Sequence, residues 1–319
     1  MKNVLITAEL PQVANSILQQ AGLNVEIFKG DKLITKKELL DKVKDKDFLI
    51  TSLSTDVDED VINAAPKLKL IANFGAGFNN IDINSARAKE ISVTNTPFVS
   101  TTSVAEVAAG LIISLSHRLV EGDNLMHDQG FNGWSPLFFL GHELSKKTLG
   151  IIGMGQIGKA LAKRMQAFDM KIVYTQRHHL KEDEEKELHA VFLEKDELIK
   201  QSDVISLHLP LTKNTHHLLG AKEFATMKKT SFLINAARGP LIDENALLKS
   251  LKEKQLAGAA LDVYEHEPKV DDQFKQMKNV ILTPHIGNAT IEARNAMAGV
   301  VAKNVVSVLN GEKPKYIVN

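Results

Sequence analysis

The chain contains no cysteine. Disulfides, thiolate nucleophiles and cysteine metal ligands are therefore excluded, and stability has to come from packed apolar cores. No apolar run reaches the ~20 residues that a membrane-spanning helix needs. Neither sign of charge is in excess: Lys plus Arg and Asp plus Glu number 39 each, so the formal net charge is zero. That balance suits neither a phosphate backbone nor an anionic lipid surface, so no nucleic-acid or membrane partner is expected. Aromatic residues make up 5% of the chain, with one tryptophan, Trp134. The opening stretch, MKNVLITAELP, has too short an apolar core for a secretion signal and no small-residue cleavage site after it. Together with the missing cysteines this points to the cytoplasm. The chain does have length and apolar content: 319 residues, 44% of them apolar, suffice for two domains with separate cores.

One stretch organises the rest. Thr148 to Ala167 reads TLGIIGMGQIGKALAKRMQA. An apolar strand, Leu149 to Ile152, runs into Gly153-Met154-Gly155-Gln156-Ile157-Gly158. A helix pattern follows, with Ile157, Leu161, Met165 and Phe168 on one face. Gly153 turns the chain, Gly155 lets a diphosphate reach the backbone, and Gly158 lets helix and strand pack closely. Free N–H groups and the positive end of the helix then face the diphosphate. A second strand, Lys171 to Thr175, completes the βαβ unit, so a dinucleotide is the expected cofactor. In NAD-specific units this second strand ends in an acid that binds the ribose 2′-hydroxyl. Here it ends Tyr174-Thr175-Gln176-Arg177-His178-His179, without one. Arg177, helped by Gln176, suits a 2′-phosphate instead. NADP(H) is the favoured cofactor and NAD(H) a possible one.

Strands and helices alternate on both sides of this unit, an α/β pattern of parallel sheets covered on both faces. Before it, strands are expected at residues 3–7, 24–28, 48–52, 68–73 and 91–95. Helices are expected at 11–21, 36–43, 58–65 and 83–90. Residues 97–102 read as a linker. A buried helix over 103–117 or beyond is expected, opened by a capping box of Ser103 and Glu106. Trp134 lies in a loop, 130–141, and reads either as a core anchor or as a lid or dimer contact. After the glycine turn, helices are expected at 181–187, 193–201, 215–227, 244–254 and 290–309. Strands are expected at 203–209, 230–235, 257–263 and 280–282. Ligands of such sheets lie beyond the carboxyl ends of the strands. There, Gly75-Ala76-Gly77 offers small residues whose N–H groups can hold an anion.

Three ionisable residues follow strand ends on the glycine-turn side: Arg238 after FLINAA, an acid in YEHEP, and His285 in LTPHIG. A guanidinium can clamp a 2-ketoacid carboxylate with two parallel hydrogen bonds. An imidazole, with an unperturbed pKa of ~6.5, can protonate the carbonyl oxygen as hydride arrives. A carboxylate on the other ring nitrogen fixes the tautomer and favours the charged form. Spacing alone does not choose between Glu265 and Glu267. His208 reads as core. His216 and His217 read as capping or hydrating the start of a helix, and no metal site is expected.

At these residues the chain resembles the D-isomer-specific 2-hydroxyacid dehydrogenases. The resemblance runs through NFGAGFNNID, TLGIIGMGQIGKALAKR, VISLHLPLTKNTHHLLG, FLINAARGPLIDENALLKSL, GAALDVYEHEP and LTPHIGNAT, in that order and over nearly the whole chain. It implies Arg238, Glu267 and His285 as the catalytic set, and it settles the acid as Glu267, directly before Pro268. It implies that Ala76 and Gly77 hold the substrate carboxylate opposite Arg238 and that Leu53 lines the side-chain pocket. It places Gln156 and Ile157 at the diphosphate and Pro210 and Thr215 at the adenosine side. Ala236, Ala237, Asp262, Gly287 and Val104 fall around the nicotinamide. The implied fold is two doubly wound domains. A Rossmann domain (100–287) is inserted in a flavodoxin-like substrate domain (1–99 plus 288–319), the two domains close over substrate, and a homodimer through the nucleotide domain is implied. Gln176-Arg177 departs from the NAD-using members and resembles glyoxylate and hydroxypyruvate reductases that take NADPH. Formate dehydrogenases resemble the pattern but carry Gln at the Glu267 position. A dinucleotide-sensing binding protein or corepressor on this fold is the alternative outside enzymes.

Overall fold

The structure is a computed structural model that describes residues 1–30 and 32–319. The chain divides into two compact units, residues 1–100 with 289–319 and residues 101–288.

The first unit is built on five strands: β1 (Asn3–Ile6), β2 (Asn24–Ile27), β3 (Phe48–Ser52), β4 (Leu70–Phe74) and β5 (Ser92–Thr94). They pair in the order β2-β1-β3-β4-β5, every pairing parallel. This is the flavodoxin-like order. The central strands are continuous apolar runs because both faces are covered. On one face Val4, Ile50 and Ala72 pack beneath Met297, Val301 and Val305 of the long helix Ile291–Leu309. On the other, Leu5, Leu49 and Ile71 pack with Leu39, Val61 and Ile62.

The second unit carries β6 (Thr148–Ile152), β7 (Lys171–Thr175), β8 (Ala190–Phe192), β9 (Val204–Leu207), β10 (Phe232–Asn235), β11 (Gly258–Leu261) and β12 (Val280–Leu282). The order is β12-β11-β10-β9-β6-β7-β8, again all parallel. Strand order reverses between β6 and β9, which creates the crevice where doubly wound sheets take ligands. The helices Thr101–Ser116 and Gln156–Gln166 bury one sheet face through Ala105, Ile112, Leu161 and Met165. The other face meets Leu198, Phe224 and Leu247.

Several sequence expectations are corrected. Ser103 opens no helix: Thr101–Ser116 begins earlier, Ser103 Oγ donates to Gly287 O at 2.7 Å, and Glu106 pairs with Arg164 at 3.1 Å. Arg118, at φ +57°, separates this helix from a further one, Leu119–Asp128. Trp134 is 81% exposed and anchors no core. The helix expected at 215–227 spans only Ala221–Thr226, because His217 sits at φ +50°, outside helical conformation. The strand Ala190–Phe192 and the short helix Asp272–Lys275 were not foreseen. No single helix among the described residues is long and apolar enough to cross a membrane.

Candidate active site

The glycine turn is shaped as its spacing demands. Gly153 has φ +100°, and a Cβ there would lie 2.4 Å from His208 O. Its N–H donates to Thr175 O at 2.9 Å, which ties the turn to the end of β7. A Cβ on Gly158 would lie 2.4 Å from Gly153 O, so only glycine lets this helix approach. A Cβ on Gly155 would meet nothing within 4 Å. The backbone is thus open where a diphosphate would lie. Gly155 caps the helix, and Gln156 and Ile157 fall in the first turn, whose N–H groups lack helical partners. The side chain of Gln156 is exposed, while Ile157 packs against the core. Gln176 and Arg177 follow β7, Arg177 exposed and without an ion-pair partner among the described residues. In the next helix Glu184 pairs with Lys159, and Glu185 accepts from the Tyr174 hydroxyl at 2.5 Å. The glycine turn fits a dinucleotide, and the residues directly after β7, Gln176 and Arg177, include no acid. Pro210 and Thr215 close one turn, Thr215 Oγ1 donating to Pro210 O at 2.8 Å.

The ionisable set lies at the ends of β10, β11 and β12. Asn235, fully buried, fixes the first: its Nδ2 donates to Arg238 O at 2.9 Å, and its Oδ1 accepts from Ala237 N–H at 3.1 Å. Arg238 follows Ala236 and Ala237 and precedes Gly239, where a Cβ would fall 1.9 Å from the Tyr264 carbonyl carbon. That close approach brings the Arg238 loop against the segment that carries Glu267. Burial pulls the Arg238 pKa below its ordinary value, against the charge of Glu267, which raises it.

Glu267 Oε1 accepts from Tyr264 N–H at 3.0 Å, and Oε2 lies 2.9 Å from His285 Nδ1. Burial pushes the Glu267 carboxyl up. The His285 hydrogen bond and charge, the Tyr264 N–H and Arg238 pull it down and prevail, so it stays below the usual carboxylate range. Tyr264 is nearly buried, its hydroxyl within 3.1 Å of Leu261 O and 2.9 Å of Thr283 O. Burial, with the charges of Asp262 and Glu267, pushes its pKa to about 12.

His285 has φ +53°, a costly conformation for an imidazole residue. Asp262, fully buried, holds both sides of it. Oδ1 accepts from Thr283 Oγ1 at 2.6 Å and from Ile286 N–H at 2.8 Å, and Oδ2 accepts from Gly287 N–H at 2.7 Å. A Cβ on Gly287 would lie 3.2 Å from Asp262 Oδ2 and 3.5 Å from Val104 Cγ2, so Val104, Asp262 and Gly287 are neighbours. His208 is not simple core. Its Nε2 pairs with Ser206 Oγ at 2.8 Å, and burial drops its pKa to about 4. Nor do His216 and His217 open a helix: they occupy a turn, and His217 Nε2 lies 2.6 Å from Glu265 Oε1.

The first unit carries its own candidate anion cradle. The carbonyls of Gly75, Ala76 and Gly77 accept from Thr96 N–H (2.9 Å), Asn95 Nδ2 (2.7 Å) and Asn73 Nδ2 (2.5 Å). With the carbonyls turned inward and held, the Ala76 and Gly77 N–H groups donate to no group among the described residues. A Cβ on Gly75 would lie 2.5 Å from Leu53, so Leu53 packs over the cradle. Sequence reasoning missed Asn73, Asn95 and Arg294. The Arg294 guanidinium lies 5.6 Å from the ring centre of Phe74, the residue that leads into the cradle, and burial lowers its pKa. Asparagine at or just past a strand end was the available signal for the two asparagines.

A doubly wound sheet with a glycine-turn diphosphate site and an Arg, Glu and His at strand ends defines a nicotinamide-dinucleotide-dependent oxidoreductase. Comparison with known proteins makes the class specific. Residues 109–287 match the family model described as the NAD binding domain of D-isomer specific 2-hydroxyacid dehydrogenases. A Staphylococcus haemolyticus protein provisionally named as a 2-hydroxyacid dehydrogenase is 49% identical over 319 residues, all of both chains. The TT0316 protein from Thermus thermophilus superposes with a TM-score of 0.94 at 38% identity, covering 99% of this chain and 100% of that one. A glyoxylate reductase from Paecilomyes thermophila superposes with a TM-score of 0.87 at 31% identity, covering 99% and 98%. The chain belongs to the D-isomer specific 2-hydroxyacid dehydrogenase family.

Proposed function

We propose that the protein reduces a small 2-ketoacid, glyoxylate or hydroxypyruvate by preference, to the D-2-hydroxyacid, with NADPH as the favoured reductant and NADH as a possible one. The observation that carries this reading is the 2.9 Å contact between His285 Nδ1 and Glu267, beside a half-buried Arg238 that feels the Glu267 charge. When bound, the dinucleotide supplies the hydride at its nicotinamide. Arg238 binds the substrate carboxylate and polarises the carbonyl. Glu267 accepts the Nδ1 hydrogen bond of His285, which leaves Nε2 to deliver a proton to the carbonyl oxygen. In the first unit, the N–H groups of Ala76 and Gly77 are the proposed carboxylate donors, and Leu53 limits the length of the substrate side chain.

The preference for small acids rests on Leu53 and on likeness to the glyoxylate reductase. Preference for NADPH rests on Gln176 and Arg177 in place of an acid. Gly153, Gly155, Gln156, Ile157 and Gly158 take the diphosphate, and Pro210 and Thr215 border the adenosine. Val104, Ala236, Ala237, Asp262 and Gly287 surround the nicotinamide. A cytoplasmic homodimer is part of the same reading. It is supported by the cysteine-free composition and by the apolar surface of Phe131, Trp134, Leu137 and Leu140, each more than half exposed.

Initial rates of NADPH and NADH oxidation with glyoxylate, hydroxypyruvate, pyruvate and a bulky 2-ketoacid test the proposal. Fast reduction of glyoxylate and hydroxypyruvate with NADPH is expected. Equal or better rates with NADH would reduce Arg177 to a surface charge. Turnover of no 2-ketoacid with either cofactor would overturn the reading and favour a binding protein.

A further inference from the structure

The turn that follows β9 and the loop that carries Glu267 meet in a cluster that the reductase chemistry does not use. The donor atoms of His216, His217 and Glu265 lie within 4.8 Å of one another. We propose that His216, His217 and Glu265 form a surface site for a divalent transition-metal ion of the zinc type.

Two features support it. First, the donor set is two imidazoles and a carboxylate, which suits Zn²⁺ and its neighbours and not Mg²⁺ or Ca²⁺, which demand oxygen ligands. Second, the cluster is held ready by backbone. His217 N–H donates to Pro240 O at 2.8 Å, and Leu219 N–H donates to Leu241 O at 3.1 Å, fixing the histidine segment against 240–242. His217 keeps its left-handed conformation there, φ +50°. Glu265 N–H donates to Glu244 Oε1 at 2.7 Å, which fixes the carboxylate partner.

Geometry asks for little movement. Tetrahedral ligand atoms at ~2.0–2.1 Å from zinc stand ~3.3 Å apart. His217 Nε2 and Glu265 Oε1 are already 2.6 Å apart, so the ion inserts where they share a hydrogen. His216 is exposed, and its ring lies 4.0 Å, centre to centre, from that of His217, so a side-chain rotation brings its nitrogen in. Three protein ligands leave one position to water. The bound ion clips the histidine turn to the Tyr264–Pro268 segment, two residues from Glu267.

The test uses the full-length protein without an affinity tag, dialysed against buffered Zn²⁺, with Co²⁺ as the visible-absorption probe. One equivalent of Zn²⁺ is expected, together with the intense absorption of four-coordinate Co²⁺. His217→Ala and Glu265→Gln should each weaken binding by about tenfold or more, since even outer partners of a metal site are worth 10–100-fold. His216→Asn, at the most exposed ligand, keeps the test valid if either of those variants folds poorly. His127→Ala removes a histidine from a remote exposed pair with Asp123 and should change nothing. Uptake below one equivalent, or binding that survives in the His217, Glu265 and His216 variants alike, would overturn the site. None of these readouts depends on turnover, so the result stands apart from the fate of the reductase reading.

Discussion

Arg238 is half-buried, and the charge acting on it most directly is that of Glu267. Its planar fork is what a carboxylate needs, and lysine does not reproduce it. Arg238→Lys should therefore keep the fold and lower kcat/KM by about 10- to 100-fold, the weight of one charge-assisted hydrogen bond at about 1.5–3 kcal/mol. Steady-state rates and a thermal melt check this together. Glu267 makes a second prediction, about stability and pH. Its folded-state pKa lies below the ordinary 4.5, so ionised Glu267 stabilises the fold above that value and the contribution disappears as pH falls through the folded pKa. Glu267→Gln should flatten the loss of stability on acidification below about pH 4.5, read from melts across pH 3–7. Wild-type steepness in that variant would mean that the His285 contact contributes nothing to folding. At this scale the sequence named the types of group but not their supports. Asn235 and Tyr264 hold Arg238 and Glu267 from three residues away, within irregular turns that have no repeating pattern, and Asp262 holds the His285 turn from 24 and 25 residues away, beyond the reach of any local pattern.

Among the elements, the glycine turn divides its labour in a way that substitution can separate. Gly158→Ala drives a methyl group to 2.4 Å from Gly153 O and should cost about 1–3 kcal/mol, seen as a lower Tm. Gly155→Ala meets no atom within 4 Å and sits at an ordinary φ of −75°, so its melt should stay near wild type while dinucleotide affinity falls. A melt and a dinucleotide titration on both variants decide this; equal Tm losses would refute the division. The strand–turn–helix unit was legible because its glycines, apolar run and helical period agree. The parallel sheets were legible from the alternation of apolar runs with amphipathic stretches. Legibility failed where backbone conformation, not pattern, set the outcome. Arg118 in left-handed conformation ends one helix, and His217 in the same conformation keeps a helix-like stretch as a turn. The strand Ala190–Phe192 is only three residues long and gains its order by pairing with β7. The Ser103–Glu106 spacing mimicked a cap, yet both side chains are used in contacts to other segments.

For the whole molecule, two parallel sheets, of five and seven strands, place every candidate chemical group just beyond a strand end, the position such folds give to ligands. The proposed preference for NADPH rests on the residues after β7. Arg177→Ala should lower the ratio of kcat/KM for NADPH over NADH by about tenfold, one lost charge-assisted contact to phosphate. An unchanged ratio would remove Arg177 from cofactor selection. The account as a whole depends on His285 as the proton donor, and one measurement addresses that directly: the rate of glyoxylate reduction at saturating NADPH for wild type and His285→Gln, with dinucleotide affinity measured on both. The account predicts a fall in kcat of about 10²- to 10⁴-fold, the usual weight of general acid catalysis, with dinucleotide affinity preserved. Turnover retained near the wild-type rate would contradict it, whatever the affinity.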